Sequence, residues 1–147
     1  MPKKDLVHHL IREALVNDGW NITDDPYVIS YGKRFLFADL GAEKGGRFVG
    51  AQREGVKIAV EIKDFQGKSP IADLEQAVGQ YVLYELLMGK TDPDRLTYLA
   101  VPSETYEGIF REPVGELVIG ELPLRLLVVD TGKKEVTRWI PRPLTGR

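Results

Sequence analysis

Cysteine is missing from all 147 residues. Its absence excludes disulfides and thiolate metal sites and suits a reducing compartment. No apolar run is long enough to span a bilayer, and Met1-Pro2-Lys3-Lys4-Asp5 leads into a charged amphipathic segment rather than a signal peptide. A cytoplasmic protein with no membrane partner is the expectation. A basic surplus is lacking too: 20 Lys and Arg face 22 Asp and Glu, for a net charge of −2 and a pI near 5.7. That balance argues against an avid, non-specific nucleic-acid binder, although acidic metal ligands lower a pI without repelling DNA once a cation is bound. There is no G-x-S-x-G for a nucleophilic serine, and the glycine-rich stretch lacks phosphate-cradling spacing.

What is present is an ordinary globular composition, 43% hydrophobic and 29% charged, of a length that suits one core. Residues 1–140 read as a single domain and 141–147 as a disordered tail. Leu6, Val7, Leu10, Ile11, Ala14 and Leu15 form one stripe of a helix over Lys3 to Asp18, with Gly19 as its cap. Tyr27 to Tyr31 and Arg34 to Leu40 read as strands joined by a tight turn at Gly32-Lys33. Gly41 to Gly55 holds five glycines and reads as a loop, with at most a short hairpin around Phe48-Val49. Lys57 to Lys63 is the next strand.

Ser69-Pro70 starts a long helix, a hydroxyl cap followed by proline in the first turn, running to about Met88 where Gly89 and Pro93 end it. This helix is apolar on two sides. One face is Ile71, Leu74, Val78, Tyr81 and Val82, and the other is Leu83 and Leu87. Such a helix packs on a sheet and on something further, and a homo-oligomer is expected. Leu96 to Val101 reads as an interior strand, Ser103 to Phe110 as a short helix, Leu124 to Val129 as a buried strand and Glu135 to Ile140 as an edge strand. Helix, three strands, long helix, strand and C-terminal strand additions make an α/β domain with a central mixed sheet flanked by helices.

The chemistry lies on two consecutive strands. Asp39 closes Phe35-Leu36-Phe37-Ala38-Asp39-Leu40, and Glu61 and Lys63 sit in Lys57-Ile58-Ala59-Val60-Glu61-Ile62-Lys63. Strand side chains alternate, so Ile58, Val60 and Ile62 share one face and Glu61 and Lys63 the other. If the strands pair, two carboxylates and an ammonium meet. Mg²⁺ takes oxygen ligands and keeps several waters, so one or two carboxylates suffice to hold it. Asp39, Glu61 and the Ile62 carbonyl are the expected Mg²⁺ (or Mn²⁺) ligands, and Lys63 would orient a metal-bound water or stabilise developing negative charge. Glu13 borders the apolar stripe of the first helix and is a flanking candidate. Gln80 and Tyr84, one turn apart on the long helix, are others. Each residue also has an ordinary reading, as turn chemistry at a strand end or as a solvated surface. Adjacent His8 and His9 read as solvated.

Asp39-Leu40-Gly41-Ala42-Glu43-Lys44, Lys57 to Phe65, Gln76 to Tyr84 and Asp94 to Tyr106 together resemble the XisH family, the fdxN element excision controlling factors of cyanobacteria and related bacteria. The resemblance extends to about Ile140. It implies a restriction-endonuclease-like αβββαβ core similar to the PD-(D/E)xK nucleases, with Asp39 as the motif acid and Glu61-Ile62-Lys63 as the E-x-K. It also implies Glu13 as the first-helix acid and Gln80-x-x-x-Tyr84 as similar to the Q-x-x-x-Y of RecB-like branches. Asp39 departs from the pattern in following Ala38 rather than proline. The family's name implies control of programmed DNA excision, with DNA and a small XisI-like protein as partners. Two readings therefore stand side by side: a Mg²⁺-dependent endonuclease, and a non-catalytic regulatory module that binds DNA or a protein.

Overall fold

The computed structural model describes the backbone of residues 3–49 and 52–141. Helix α1 (Lys3–Asn17) is followed by β1 (Asn21–Asp24), β2 (Tyr27–Tyr31), β3 (Arg34–Ala38), β4 (Leu40–Val49) and β5 (Gln52–Ile62). Then come α2 (Pro70–Thr91), β6 (Arg95–Pro102), α3 (Ser103–Glu107), a 3₁₀ turn (Ile109–Arg111), α4 (Pro113–Glu121), β7 (Leu126–Asp130) and β8 (Glu135–Ile140). Six strands form one mixed sheet in the order β1-β4-β5-β6-β7-β8, and β2 and β3 form a separate two-stranded sheet. The β5–β6 and β6–β7 pairs are parallel and the others antiparallel. Helix α2 is the crossover that a parallel β5–β6 pair requires.

The sheet is covered on both faces. Ile11, Ala14 and Leu15 of α1 pack on Leu40, Ala42, Ile58, Val60, Tyr98 and Leu127. On the opposite face Leu74, Ala77 and Tyr81 of α2 meet Leu99, Val101, Phe110 and Leu126. Farther along α2, Tyr84, Leu87 and Met88 pack with Ala59 of β5 and with Ile29 and Ala38 of the β2–β3 hairpin. The alternation predicted for β5 is therefore present, with Ile58 and Val60 towards α1 and Ala59 and Glu61 towards α2. Among the described residues, no helix is long and apolar enough to cross a membrane.

Local chemistry sets several boundaries. Ser69 caps α2, its hydroxyl accepting from the Ala72 amide at 3.2 Å. Gly19 ends the α1 region with φ of 96°, and Gly32 turns the β2–β3 hairpin with φ of 60°, values that suit a residue without Cβ. Three expectations need correction. The segment Gly41 to Gly55 is no loop but the distal part of a long β4–β5 hairpin, whose irregularity between Gly45 and Arg47 absorbs the glycines. Helix α2 continues through Gly89 to Thr91, because one helical glycine costs only about 1 kcal/mol against tertiary packing. Strand Arg34 to Leu40 is not continuous: pairing with β2 ends at Ala38, and Leu40 starts β4 in the other sheet. Residues 142–147 of the expected tail lie outside the described residues.

Candidate functional site

Asp39 occupies the step between the two sheets, which frees its side chain from either ladder. Leu40 pairs with Val60, so the next position back brings Asp39 to Glu61. The Ile62 amide donates to Asp39 Oδ2 at 2.7 Å, a ladder bond completed by a side chain where β4 has ended. On the other side of the strand the Lys63 amide donates to the Ala100 carbonyl at 3.0 Å. The N–H and C=O of one strand residue point the same way, so the Ile62 carbonyl also faces Asp39.

Glu61 projects into the α2 side of the sheet and is 8% exposed, one of few buried ionisable residues in the described chain. Its carboxyl is pushed up from 4.5 to about 8. Burial is the largest cause and the neighbouring Asp39 charge the next, while the Lys63 ammonium pulls the other way. A hydrogen bond between the two carboxyls also holds the proton on Glu61, and the Asp39 amide opposes this by donating to the ionised form. Glu61 Oε1 is buried with no hydrogen-bond partner. An enclosed carboxyl thus stands beside a partly exposed one, and a proton or a cation on Glu61 eases their repulsion.

Helix α2 covers the pair. Tyr84 Oη donates to the Phe37 carbonyl at 3.2 Å, and burial together with the Glu61 and Asp39 charges raises its pKa. Gln80, one turn earlier, keeps a buried Oε1 without a partner. From the α1 side the approach to Asp39 is made by His8, whose Nδ1 lies 3.9 Å from Asp39 Oδ1. The other ring nitrogen is 2.9 Å from Asp25 Oδ1, and Arg12 Nε holds that carboxylate at 3.0 Å. Sequence reading treated His8 as solvated. Its anchor, Asp25, is 17 positions away, and no local pattern connects them. Glu13 turns elsewhere: Lys134 Nζ is 3.0 Å and His9 Nε2 is 3.5 Å from its carboxylate, and the Lys134 hydrogen bond lowers its pKa. Lys63 makes no salt bridge among the described residues, and with Ile62 it borders an open cleft of about 370 Å³.

The residues present fit a hard divalent cation. They offer two converging carboxyls, one of them with an orphaned buried oxygen, and a backbone carbonyl, with an ammonium alongside. Among the described residues no cluster of three His, Cys, Asp or Glu side chains could hold a metal. The set is thus too sparse for a tight cage and suits an ion that retains its waters.

The family model described as XisH protein matches residues 1–137. The crystal structure of an fdxN element excision controlling factor protein from Anabaena variabilis is similar, with a TM-score of 0.80 and 37% identity, covering 92% of this chain and 98% of that one. An XisH family protein from Nostoc punctiforme PCC 73102 also has a TM-score of 0.80, at 34% identity and the same coverage of both chains. None of the curated proteins matches the chain.

Proposed function

For a chain that belongs to the XisH family, we propose a role in controlling programmed excision of a DNA element, exerted through a Mg²⁺-dependent phosphodiester-cleaving site. The observation that carries this reading is geometric: strand pairing brings Asp39 beside Glu61, Asp39 is held by the Ile62 amide, and Glu61 keeps a buried oxygen without a partner. A buried glutamate beside a second carboxylate and an ammonium, on a strand that also aims a carbonyl at the same spot, is costly for stability alone and is typical of places where function sets pKa values.

Asp39, Glu61 and the Ile62 carbonyl would hold Mg²⁺ or Mn²⁺, which when bound supplies Lewis acidity towards phosphoryl oxygens and an acidified water. Asp39 keeps its carboxylate in place by accepting the Ile62 amide. Glu61 would hold the cation as a carboxylate, a form that the Lys63 ammonium favours. Lys63 then stabilises negative charge gathering on the phosphate. Tyr84 closes the α2 side against water. His8, steadied by Asp25, stands beside the outer edge of Asp39. Gln80 presents its unpaired oxygen from α2, while Glu13 is engaged by Lys134 and His9.

A second reading rests on a different surface. Phe35 and Phe37 of the hairpin are 67% and 55% exposed and Leu86 of α2 is 66% exposed. That much apolar area suits a protein partner, an XisI-like small protein or another copy of this chain. One assay separates the two. Supercoiled, linear and branched DNA are incubated with Mg²⁺ or Mn²⁺ and the wild type, Glu61→Ala or Lys63→Ala. Cleavage that needs metal and disappears in both variants supports the nuclease. Equal background from all three proteins rejects it and leaves the binding module.

A further inference from the structure

Beside Lys63 lies a cleft whose walls are more than the surroundings of an acid pair. The chain leaves β5 at Ile62 and turns through Asp64 to Gly67 before α2 begins. Within this turn Phe65 has φ of 57°, a left-handed conformation that a bulky residue adopts only when its surroundings impose it. Two bonds fix the turn. Thr105 Oγ1 donates to the Asp64 carbonyl at 3.2 Å, and the Gly67 amide donates to Asp73 Oδ2 at 3.0 Å. A Cβ at Gly67 would meet the Asp73 carboxylate, which would have to turn aside and give up this bond. The imposed conformation sets the Phe65 ring edge-on against Phe110, with centroids 5.6 Å apart, while the same residue lines the cleft.

The remaining lining narrows the ligand. Gln76 brings a carboxamide, Gln66 one that donates to the Asp64 carbonyl at 3.4 Å, Val7 an apolar patch, Lys63 an ammonium at the border and Asp73 a carboxylate. The carboxylate disfavours a phosphate inside, whereas the ammonium favours one at the rim. An aromatic wall with donor and acceptor amides suits a flat, uncharged, hydrogen-bonding ring. The volume of about 370 Å³ accommodates one nucleobase with part of its sugar. We infer that this cleft takes an unpaired DNA base next to the phosphate at the Asp39–Glu61 site, with Phe65 as the stacking wall and Gln76 as a hydrogen-bonding edge. The inference rests on the DNA-processing reading above and makes it more specific: the substrate carries an unstacked base beside the bond to be cut.

The test uses the full chain with Ca²⁺ in place of Mg²⁺ and fluorescence anisotropy of a labelled single DNA strand. An abasic strand of the same length serves as comparison. Base stacking on one aromatic ring is worth roughly 5- to 150-fold, so wild type should bind the base-bearing strand at least about fivefold more tightly. Phe65→Leu should erase that preference while leaving abasic-strand affinity unchanged, and Gln76→Ala should reduce it. Equal affinity of wild type for both strands overturns the inference, as does a preference that survives in Phe65→Leu. If Phe65→Leu does not fold, as read from its thermal melt, the exposed helix variant Gln76→Ala decides: a smaller preference supports the inference and an undiminished one overturns it. Metal-dependent cleavage by wild type without base preference sinks this inference alone. Failure of wild type to bind or cleave any DNA sinks it together with the nuclease reading.

Discussion

Replacing Glu61 by glutamine tests the buried acid and its pairing with Asp39 without needing a substrate. The folded protein holds the Glu61 proton up to about 8, against an ordinary value of 4.5. At about 1.36 kcal/mol per pH unit, that difference caps the cost of ionising Glu61 in the metal-free fold at about 5 kcal/mol. A raised folded pKa means that the native state binds the proton more tightly than the unfolded chain does. The associated stability is therefore complete below pH 4.5 and is lost as pH rises towards 8. Because Asp39 and Glu61 interact, the loss belongs to the pair and spreads across the window. Glu61→Gln keeps the shape and stays neutral, so its stability should be flat through the same range. Urea unfolding in EDTA should show the two proteins within about 1 kcal/mol at the acid end, the scale of one altered hydrogen bond. Above pH 8 the variant should lead by several kcal/mol. Saturating Mg²⁺ should restore the wild type at high pH, by about 2.7 kcal/mol at a hundred times Kd, and leave the variant unmoved. Parallel curves for the two proteins across the whole range would refute the shared-proton geometry.

Divalent affinity of the wild type, followed by Mn²⁺ titration, should rise about tenfold per pH unit up to about 8 as the Glu61 proton is displaced. Lys63→Met should move that profile to higher pH, since the ammonium is what lowers the Glu61 pKa. Asp92 holds Lys57 Nζ and Arg95 Nε at 3.0 Å each, and Arg95 is buried, so Asp92→Ala should cost about 3 kcal/mol in denaturant unfolding. Ser69→Ala removes the α2 cap and should cost about 1 kcal/mol, with Ser69→Asp restoring most of it.

Elements governed by neighbours in the chain were legible in the sequence. The α1 stripe, the Ser69-Pro70 start of α2, the Gly32 turn and the limits of β8 all follow from periodicity, capping and turn chemistry. Elements governed by distant partners were not. Strand β1, Asn21–Asp24, has one apolar residue, Ile22, too few to show its alternation in the sequence, and it pairs with β4. The glycines of Gly41 to Gly55 weaken a strand locally, yet cross-strand pairing with β5 overrides them. Helix α4 begins at Pro113 after Glu112, a start signal that periodicity hid because Val114 and Leu117 remain exposed. The candidate site divides in the same way. Alternation within β5 placed Glu61 and Lys63 on one face, and the Glu61–Asp39 meeting followed from strand pairing. The break at Asp39 and the arrival of His8 depended on tertiary geometry alone.

That break has a spatial consequence. The acid is joined to a small flap of two strands by the single peptide between Ala38 and Asp39, and the flap rests on α2 through Ile29, Ala38 and Tyr84. Its outer surface carries two bare phenylalanine rings. The Phe35 and Phe37 rings and the Asp39 carboxylate thus belong to one short run of chain, and a partner laid on the flap would cover residues two and four positions from the acid.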